Sequence, residues 1–317
     1  GYLEAVARAG YRVTELGPLG FLGEDPAWIA SALTARGLEL AGAAHVHTLA
    51  DPASAATLTA TLHRLRGLLS ALDSHDLILM DESAFYPATA QGVVSDAGWQ
   101  TAMAMIRAAQ ALMREQYGIR LHLHPHVGTF IEREAQIDRL LAETEVTLCL
   151  DTGHHAFWDQ DVLAYFDRVW DRIGIVHLKN VNPAVRARVL SGELGVNASF
   201  DHGVMSPLSE GAVDIQAVMR KLMAKGYSGT VIVEQDPSKD AALSPEAQAA
   251  YMQGYFAFTK EIEDRKLLVG GEALHRVVRW AGICLAHDEA VDVGVNGIDG
   301  GGVASGPGIG AVAMEAE

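Results

Sequence analysis

The sequence has little cysteine, few basic residues and no long apolar run, and each shortage excludes a class of protein. Two cysteines in 317 residues, Cys149 and Cys284, are too few for a disulfide-stabilised secreted scaffold. No segment reaches the roughly 20 consecutive apolar residues that a membrane-spanning helix needs. With 24 Lys and Arg against 40 Asp and Glu, the net charge of −16 opposes general binding to nucleic acid. These features predict a cytoplasmic globular protein without membrane or nucleic-acid partners.

Short apolar runs alternate with helical patterns along most of the chain. Seven strand-like runs, the first at 11–17 and the last at 229–236, are each followed by a helical pattern. Apolar strands that alternate with helices are typical of a parallel sheet buried on both faces. No Gly-x-Gly-x-x-Gly follows an early strand, so the dinucleotide-binding fingerprint of doubly wound sheets is absent. The pattern predicts an α/β protein with a (β/α)8 barrel, or TIM barrel, as a catalytic domain over residues 1–266.

Both ends of the sequence depart from a regular barrel. The chain opens on a helical pattern, so the first of the eight strands is expected to be missing. Residues 267–317 are rich in Gly, Ala and Val, which is typical of a low-complexity, disordered tail. Within this tail, "VVRWAGICLAH" (277–287) is a candidate substitute strand. The alternative is an inactive, non-catalytic barrel fragment with unpaired strand edges.

Polar side chains gather where the predicted strands end. A (β/α)8 barrel brings the carboxyl ends of its strands to one mouth, where the active sites of this fold lie. Four successive late strands end in ligand-type residues: His124, Asp151, His177 and Glu234. Two imidazoles with two carboxylates suit Mn²⁺, Co²⁺, Fe²⁺ or Zn²⁺. Ordinary hydrogen bonding explains any one of these residues equally well, but four on successive strands favour a metal site.

Further polar residues of the predicted mouth are candidates for chemistry or for substrate binding. Lys179 alternates with His177 and therefore points to the same face of its strand, which makes it a candidate for moving protons. His126, two residues after His124, is the second candidate. Glu15 and Glu82 are positioned to bind substrate hydroxyls, with an ordinary solvated side chain as the alternative. The excursion 182–210 is expected to be an irregular loop over the mouth, from which Arg186 would contact substrate.

Several short motifs carry a resemblance to a known superfamily. "HLHPHVGT", "LDTGHH", "VHLKNV" and "VIVEQDPS", in that order, resemble the xylose-isomerase-like sugar isomerases and epimerases. Within that superfamily the sequence is most similar to inosose dehydratases, which act on 2-keto-myo-inositol in inositol catabolism. The resemblance covers residues 1–266. It implies a divalent metal, Mn²⁺ or Co²⁺, held by Asp151, His177 and Glu234, and it implies that His154 contacts substrate.

One position departs from the usual pattern of the superfamily. Relatives carry a metal-binding Glu where this sequence has His124, and in ketose epimerases that Glu also moves protons. Its replacement favours a metal-dependent dehydratase, a carbon–oxygen lyase, acting on a small polyol or keto-sugar substrate. A keto-sugar isomerase or epimerase of the same superfamily is the alternative, and a homo-oligomer is left open. An abasic-site endonuclease is disfavoured by the acidic surface.

Overall fold

The computed structural model describes residues 2–17, 19–82 and 94–235 and, for the backbone alone, residues 279–284. Helices and strands alternate through most of this range. Their order along the chain is α1 (Tyr2–Arg8), β1 (Val13–Thr14), α2 (Pro26–Thr34), β2 (Glu39–Leu40), β3 (Ala43–His47), α3 (Ala55–Ala71), β4 (Asp76–Asp81), α4 (Asp96–Tyr117), β5 (Arg120–Leu123), α5 (Glu134–Glu143), β6 (Thr147–Asp151), α6 (Thr152–Phe157), α7 (Val162–Val169), β7 (Ile173–Leu178), β8 (Asn180–Val181), α8 (Pro183–Leu190), α9 (Val196–Asp201), β9 (Met205–Ser206), α10 (Ile215–Ala224), β10 (Thr230–Gln235) and β11 (Arg279–Cys284).

The main strands form one closed parallel ring. β1 pairs with β2, and β3 pairs with β4; β2 and β3 are two halves of one strand that is interrupted at Ala41 and Gly42. From β4 the pairing continues in chain order through β5, β6, β7 and β10. β11 completes the ring by pairing with β10 on one side and with β1 on the other. The (β/α)8 barrel predicted from the sequence is confirmed.

β11 stands between β10 and β1 in the ring. It lies within 277–287, the segment that the sequence pattern suggests as a substitute, and it pairs with β10 from Arg279 to Cys284. The rest of 267–317 lies outside the described residues. The domain boundary at residue 266 and the disordered tail therefore stay predictions. In the described part of the chain, no helix is both long and apolar enough to cross a membrane.

The barrel interior below the mouth is filled by a layer of small and branched apolar side chains. They come from six different strands or strand ends: Val13, Ala41, Ile78, Cys149, Ile175 and Ile232. The interruption beside Ala41 packs closely against β4, because a Cβ on Gly42 would lie 2.6 Å from the carbonyl oxygen of Asp76. The apolar layer separates the mouth from the opposite end of the barrel. The two ends can therefore carry unrelated polar groups.

The amino-terminal end of the barrel is closed by a polar network centred on Asp76. Arg120 Nε and Nη2 each donate to one oxygen of this carboxylate at 2.7 Å. His122 Nε2 lies 2.8 Å from Asp76 Oδ1, and its Nδ1 lies 2.6 Å from Thr147 Oγ1. His122 is thus a structural residue, although it stands in the same sequence run as His124.

Asp76 makes the stability of the barrel depend on acidic pH. Burial alone would raise its pKa, but hydrogen bonds from His122 and Arg120 lower the pKa from 3.8 to about 2. A depressed pKa in the folded state contributes about 2 kcal/mol that is complete above about pH 4 and is lost as the pH falls towards 2. We expect Asp76→Asn to lower the free energy of unfolding by about 2 kcal/mol at neutral pH.

Urea unfolding followed by circular dichroism from neutral pH down to about pH 2 measures this effect. The Asp76→Asn variant should lose less stability than the wild type over the acidic range, because the titrating group is gone. Asp73→Asn is the matched control, since the Asp73 side chain is fully exposed on the preceding turn. Identical acid dependence in the wild type and Asp76→Asn would contradict the assignment.

Candidate metal centre

Asp151 stands where β6 ends and α6 begins, and this position divides its two oxygens between two tasks. Oδ1 accepts a hydrogen bond from His154 N at 2.8 Å and so caps the helix. The cap ends the strand at Asp151, whereas the sequence pattern extends it to His154. Oδ2 is buried and has no hydrogen-bond partner. A buried carboxylate oxygen without a partner is costly unless a cation binds it.

Four side chains converge at the mouth, three from the neighbouring strands β6, β7 and β10 and one from the residue that follows β5: Asp151, His177, Glu234 and His124. One nitrogen or oxygen of each lies within 4.8 Å of the others. Opposite ligands of an ion with bonds of about 2.1 Å stand about 4.2 Å apart, so a small contraction closes the set around a metal. All four residues are at most 6% exposed. The structure therefore brings together the four residues that the sequence nominates.

The two histidines of this cluster differ in their hydrogen-bond partners and in their pKa. His124 Nδ1 donates to the carbonyl oxygen of Cys149 at 3.2 Å, which leaves the Nε2 lone pair available. Burial lowers the pKa of His124 well below its ordinary value, so the ring is neutral, as a metal ligand must be. His177 instead lies between two carboxylates, with Nδ1 2.5 Å from Glu234 Oε2 and Nε2 3.1 Å from Glu15 Oε1.

The positive charge on His177 compensates the negative charges of its buried carboxylate partners, Glu15 and Glu234. Burial alone would lower its pKa, but the carboxylates of Glu15 and Glu234 raise it well above the ordinary value. His177 is therefore an imidazolium in the metal-free chain and must release one proton to bind a cation. The second nitrogen then keeps its carboxylate partner, an arrangement that orients ligating histidines in many metal sites.

The two carboxylates share a second positive partner, Lys179. Its Nζ lies 3.2 Å from Glu234 Oε1 and 3.7 Å from Asp151 Oδ2. Burial raises the pKa of Asp151 to about 6. For Glu234 burial acts in the same direction, but Lys179 and His177 outweigh it and lower the pKa well below its usual range. Two buried carboxylates and two imidazoles, with one carboxylate oxygen that accepts no hydrogen bond, fit a divalent cation of the Mn²⁺, Co²⁺ or Zn²⁺ type.

Lys179 also contacts a chain of histidines that leads out of the barrel. Its Nζ lies 3.1 Å from His154 Nε2, and the fully buried side chain fits because residue 153 is glycine, where a Cβ would lie 2.8 Å from Lys179 Cγ. Burial, and then the neighbouring His126, lowers the pKa of His154 well below its ordinary value, so the ring beside Lys179 is neutral. The rings of His154 and His126 are 3.9 Å apart between centroids, and the ring of Phe200 stacks parallel to His126.

Comparison with protein families places this site in a known context. The model of the xylose isomerase-like TIM barrel family matches residues 3–255. The chain belongs to this family. An inosose dehydratase of Salmonella agona (strain SL483) is 29% identical over 254 residues, covering 75% of this chain and 81% of the relative. An inosose dehydratase of Erwinia tasmaniensis is 30% identical over 248 residues, covering 72% of this chain and 83% of the relative.

Several solved structures share the fold at lower identity. The probable 3-DHS dehydratase AsbF from Bacillus anthracis has a TM-score of 0.61 at 16% identity and covers 81% of this chain and 92% of that chain. The IOLI protein with a binding zinc atom has a TM-score of 0.61 at 13% identity, covering 84% and 91%. D-psicose 3-epimerase from Clostridium cellulolyticum H10 has a TM-score of 0.61 at 16% identity, covering 82% and 91%. Proteins named as a dehydratase and as an epimerase thus share this fold.

The residues predicted to bind substrate differ from one another in burial and in their contacts. Glu15 is 1% exposed, and its carboxylate accepts from His177 rather than facing open space. Arg186 donates from Nη1 to the carbonyl oxygen of Ala156 at 2.9 Å and pairs with Asp159, which ties α8 to the end of α6. Glu82 follows β4 with a half-buried side chain. Substrate binding by these residues, and by His154, stays a prediction.

The excursion 182–210 is not the irregular loop that its sequence predicts. It contains α8 and α9, and β8 and β9 pair antiparallel across its base. The prediction was wrong because a helix-start signal was passed over: Asn182 accepts hydrogen bonds from the backbone of α8, and Pro183 follows at its first position. Phe200 of α9 stacks on His126, so the excursion does cover the mouth, as its place in the chain predicts.

Glu15 provides a test of how the cluster holds a metal. We expect Glu15→Gln to weaken Mn²⁺ binding about 10- to 100-fold, because a neutral amide orients the His177 ring less firmly than a carboxylate does. Titration of the metal-free protein with Mn²⁺, followed by electron paramagnetic resonance of the free ion, gives the dissociation constant. Glu145→Gln, on the exposed surface before β6, is the control. An unchanged dissociation constant for Glu15→Gln would return Glu15 to the substrate-binding role.

Proposed function

We propose that the chain is a metal-dependent hydro-lyase that removes water from a cyclic polyol ketone. The proposed substrate is 2-keto-myo-inositol, and the proposed product is a trihydroxycyclohexanedione. The observation that carries this proposal is the buried cluster of His124, Asp151, His177 and Glu234 with Lys179 and His154 directly beside it. The names of the relatives at 29% and 30% identity support the choice of substrate.

The reaction needs one proton removed and one proton delivered. A proton leaves the carbon next to the ketone, the carbon–oxygen bond of the hydroxyl on the following carbon breaks, and that hydroxyl departs with a proton as water. The resulting enol then tautomerises to the dione. A divalent metal held by the four ligands would supply Lewis-acid polarisation of the substrate carbonyl. Proton transfer falls to the side chains around it.

Lys179 and the adjoining histidines are placed to move these protons. The Lys179 ammonium is buried against Glu234 and hydrogen-bonded to neutral His154, so a proton can pass between these two groups. His126 lies against His154 and is only partly buried, which connects the pair to the rim of the mouth. Lys179 and His126 are accordingly the proposed acid–base residues, with His154 between them.

A keto-sugar isomerase or epimerase is the second candidate function. The resemblance of the fold to D-psicose 3-epimerase favours it, since that structure matches over 82% of this chain. Against it stands His124, because the superfamily's epimerases use a glutamate at this position to move a proton. His124 Nδ1 donates to the carbonyl oxygen of Cys149, and the His124 ring lies beside the ring of His177. An imidazole therefore stands where those epimerases have a carboxylate.

One assay separates these functions. The purified chain is incubated with 2-keto-myo-inositol and either Mn²⁺ or Co²⁺, and dione formation is followed by ultraviolet absorbance. Dione formation that requires the metal supports the hydro-lyase. Interconversion of ketoses without dione formation would establish the epimerase instead. A chain that is folded and binds metal but acts on neither substrate would remove both.

A further inference from the structure

Cys149 lies directly beneath the proposed metal cluster and is not used by the proposed reaction. It precedes Asp151 by two residues on β6, so both side chains point into the barrel. Its side chain is fully buried and packs in the apolar layer with Ile175 and Ile232. Its sulfur lies within 4.8 Å of a ring nitrogen of His177 and of one of His124. A thiol in this place is a second type of ligand close to the same two imidazoles.

The cluster contains two overlapping ligand sets. In one set, His124 and His177 stand with Asp151 and Glu234; in the other, the same two histidines stand with Cys149. In each set the ligand atoms lie within 4.8 Å of one another. The first set is rich in oxygen and suits Mn²⁺, whereas a thiolate with two imidazoles suits Zn²⁺ and other thiophilic ions.

We infer that His124, Cys149 and His177 form a zinc-selective position beneath the oxygen-rich one. An ion in this lower position withdraws both imidazoles from Asp151 and Glu234 and sits among apolar side chains, away from substrate. Zn²⁺ therefore competes with the activating ion and inhibits turnover. This goes beyond the proposed function, because it concerns which ion binds and where, and it holds whatever substrate is turned over.

Cobalt spectroscopy tests the thiolate without any turnover assay. Co²⁺ bound through a cysteine gives an intense thiolate-to-metal charge-transfer band in the near ultraviolet, which oxygen and nitrogen ligands alone do not give. The metal-free full chain is titrated with Co²⁺ in the wild type and in Cys149→Ser, with Cys284→Ser as the matched control for the second cysteine. We expect the band in the wild type and in Cys284→Ser and its loss in Cys149→Ser.

Asp151→Asn sharpens the test because it damages only the upper ligand set. This variant should keep the Co²⁺ charge-transfer band while losing Mn²⁺ binding. Competition with a chromophoric chelator should show Zn²⁺ affinity lowered at least about 10- to 100-fold in Cys149→Ser, with Mn²⁺ affinity unchanged. Cys149→Ala serves as a second variant, so that a folding defect of the serine variant is recognised by circular dichroism.

Two results would overturn the inference. One is the absence of a charge-transfer band in wild-type protein that has bound Co²⁺. The other is a band, or a Zn²⁺ affinity, that survives removal of the Cys149 thiol. Either result leaves dione formation with Mn²⁺ untouched, so the failure of this inference and the failure of the proposed hydro-lyase are observed separately.

Discussion

Asp151→Asn should abolish Mn²⁺ binding while leaving the metal-free protein at least as stable as the wild type. Asparagine keeps the oxygen that accepts from His154 N, so α6 retains its cap. The change removes the carboxylate charge and replaces Oδ2, which accepts no hydrogen bond, by an amide NH₂ group that does not bind a cation. Loss of a direct ligand exceeds the effect of losing a supporting partner, so we expect Mn²⁺ affinity to fall more than about 100-fold and turnover to fall with it.

The stability of the metal-free protein should change in the opposite direction. Because burial raises the pKa of Asp151 to about 6, the ionised carboxylate destabilises the fold above that pH, and the cost disappears below the ordinary pKa of 3.8. Asp151→Asn should therefore be more stable than the wild type at neutral pH, with a difference that shrinks towards pH 4. Thermal unfolding of metal-free protein across this range measures it.

Asp161→Asn is the matched control for Asp151→Asn. Asp161 caps α7 in the same way, by accepting from Ala164 N, but its side chain is exposed and stands outside the cluster. Its substitution should leave Mn²⁺ binding unchanged. Retention of metal and turnover in Asp151→Asn would show that the cluster is not the metal site.

Lys179→Met should separate metal binding from catalysis. We expect turnover of 2-keto-myo-inositol to fall about 10²- to 10⁴-fold, the usual range for removal of a group that transfers a proton. Mn²⁺ affinity should be retained or increased, because the variant removes a positive charge next to Asp151 and Glu234. A fall in turnover with intact metal binding distinguishes a proton-transfer role from a structural one.

The same variant should make stability depend on metal. Without a cation, removal of the buried lysine leaves two carboxylates with less compensation and costs about 3 kcal/mol. Mn²⁺ supplies the missing charge, so the thermal midpoint should recover on metal addition. Lys225→Met, which removes a lysine at the end of α10, is the control. Normal turnover in Lys179→Met would transfer the acid–base role to the histidines.

The sequence predicts the members of the cluster better than it predicts their hydrogen-bond partners. His124, Asp151, His177 and Glu234 are found because each ends an apolar strand, and the fold alone brings strand ends together. The contact of Glu15 with His177 spans 162 positions and depends on the ring closing between β1 and β10. No local pattern reports such a contact, so Glu15 reads as a substrate ligand. Arg186 is misleading for the same reason, since its partners lie on α6 and the segment after it.

Local signals failed where tertiary packing decides the outcome. The sequence pattern of residues 119–128, which carry three histidines at alternate positions, predicts one continuous strand. In the structure β5 ends at Leu123, and His124 and His126 belong to the connection that follows. His122, inside the strand, is hydrogen-bonded to Asp76 in the polar network at the opposite end of the barrel. Alternation along a strand identifies the face to which a side chain points but not its position along the barrel axis. That position decides which of these histidines lies in the metal cluster.

The position of β11 shows that a closed barrel has no fixed starting point. Around the ring the strands follow their order in the chain, so the place before β1 and the place after β10 are one and the same. β11 lies on the carboxyl-terminal side of β10 in the chain, yet it pairs with both β10 and β1 and so satisfies the backbone groups of both neighbours. The number of a strand thus reflects its position along the chain, whereas closure of the barrel depends only on which strands pair with which. The presence or absence of a strand before β1 therefore does not decide whether the barrel closes.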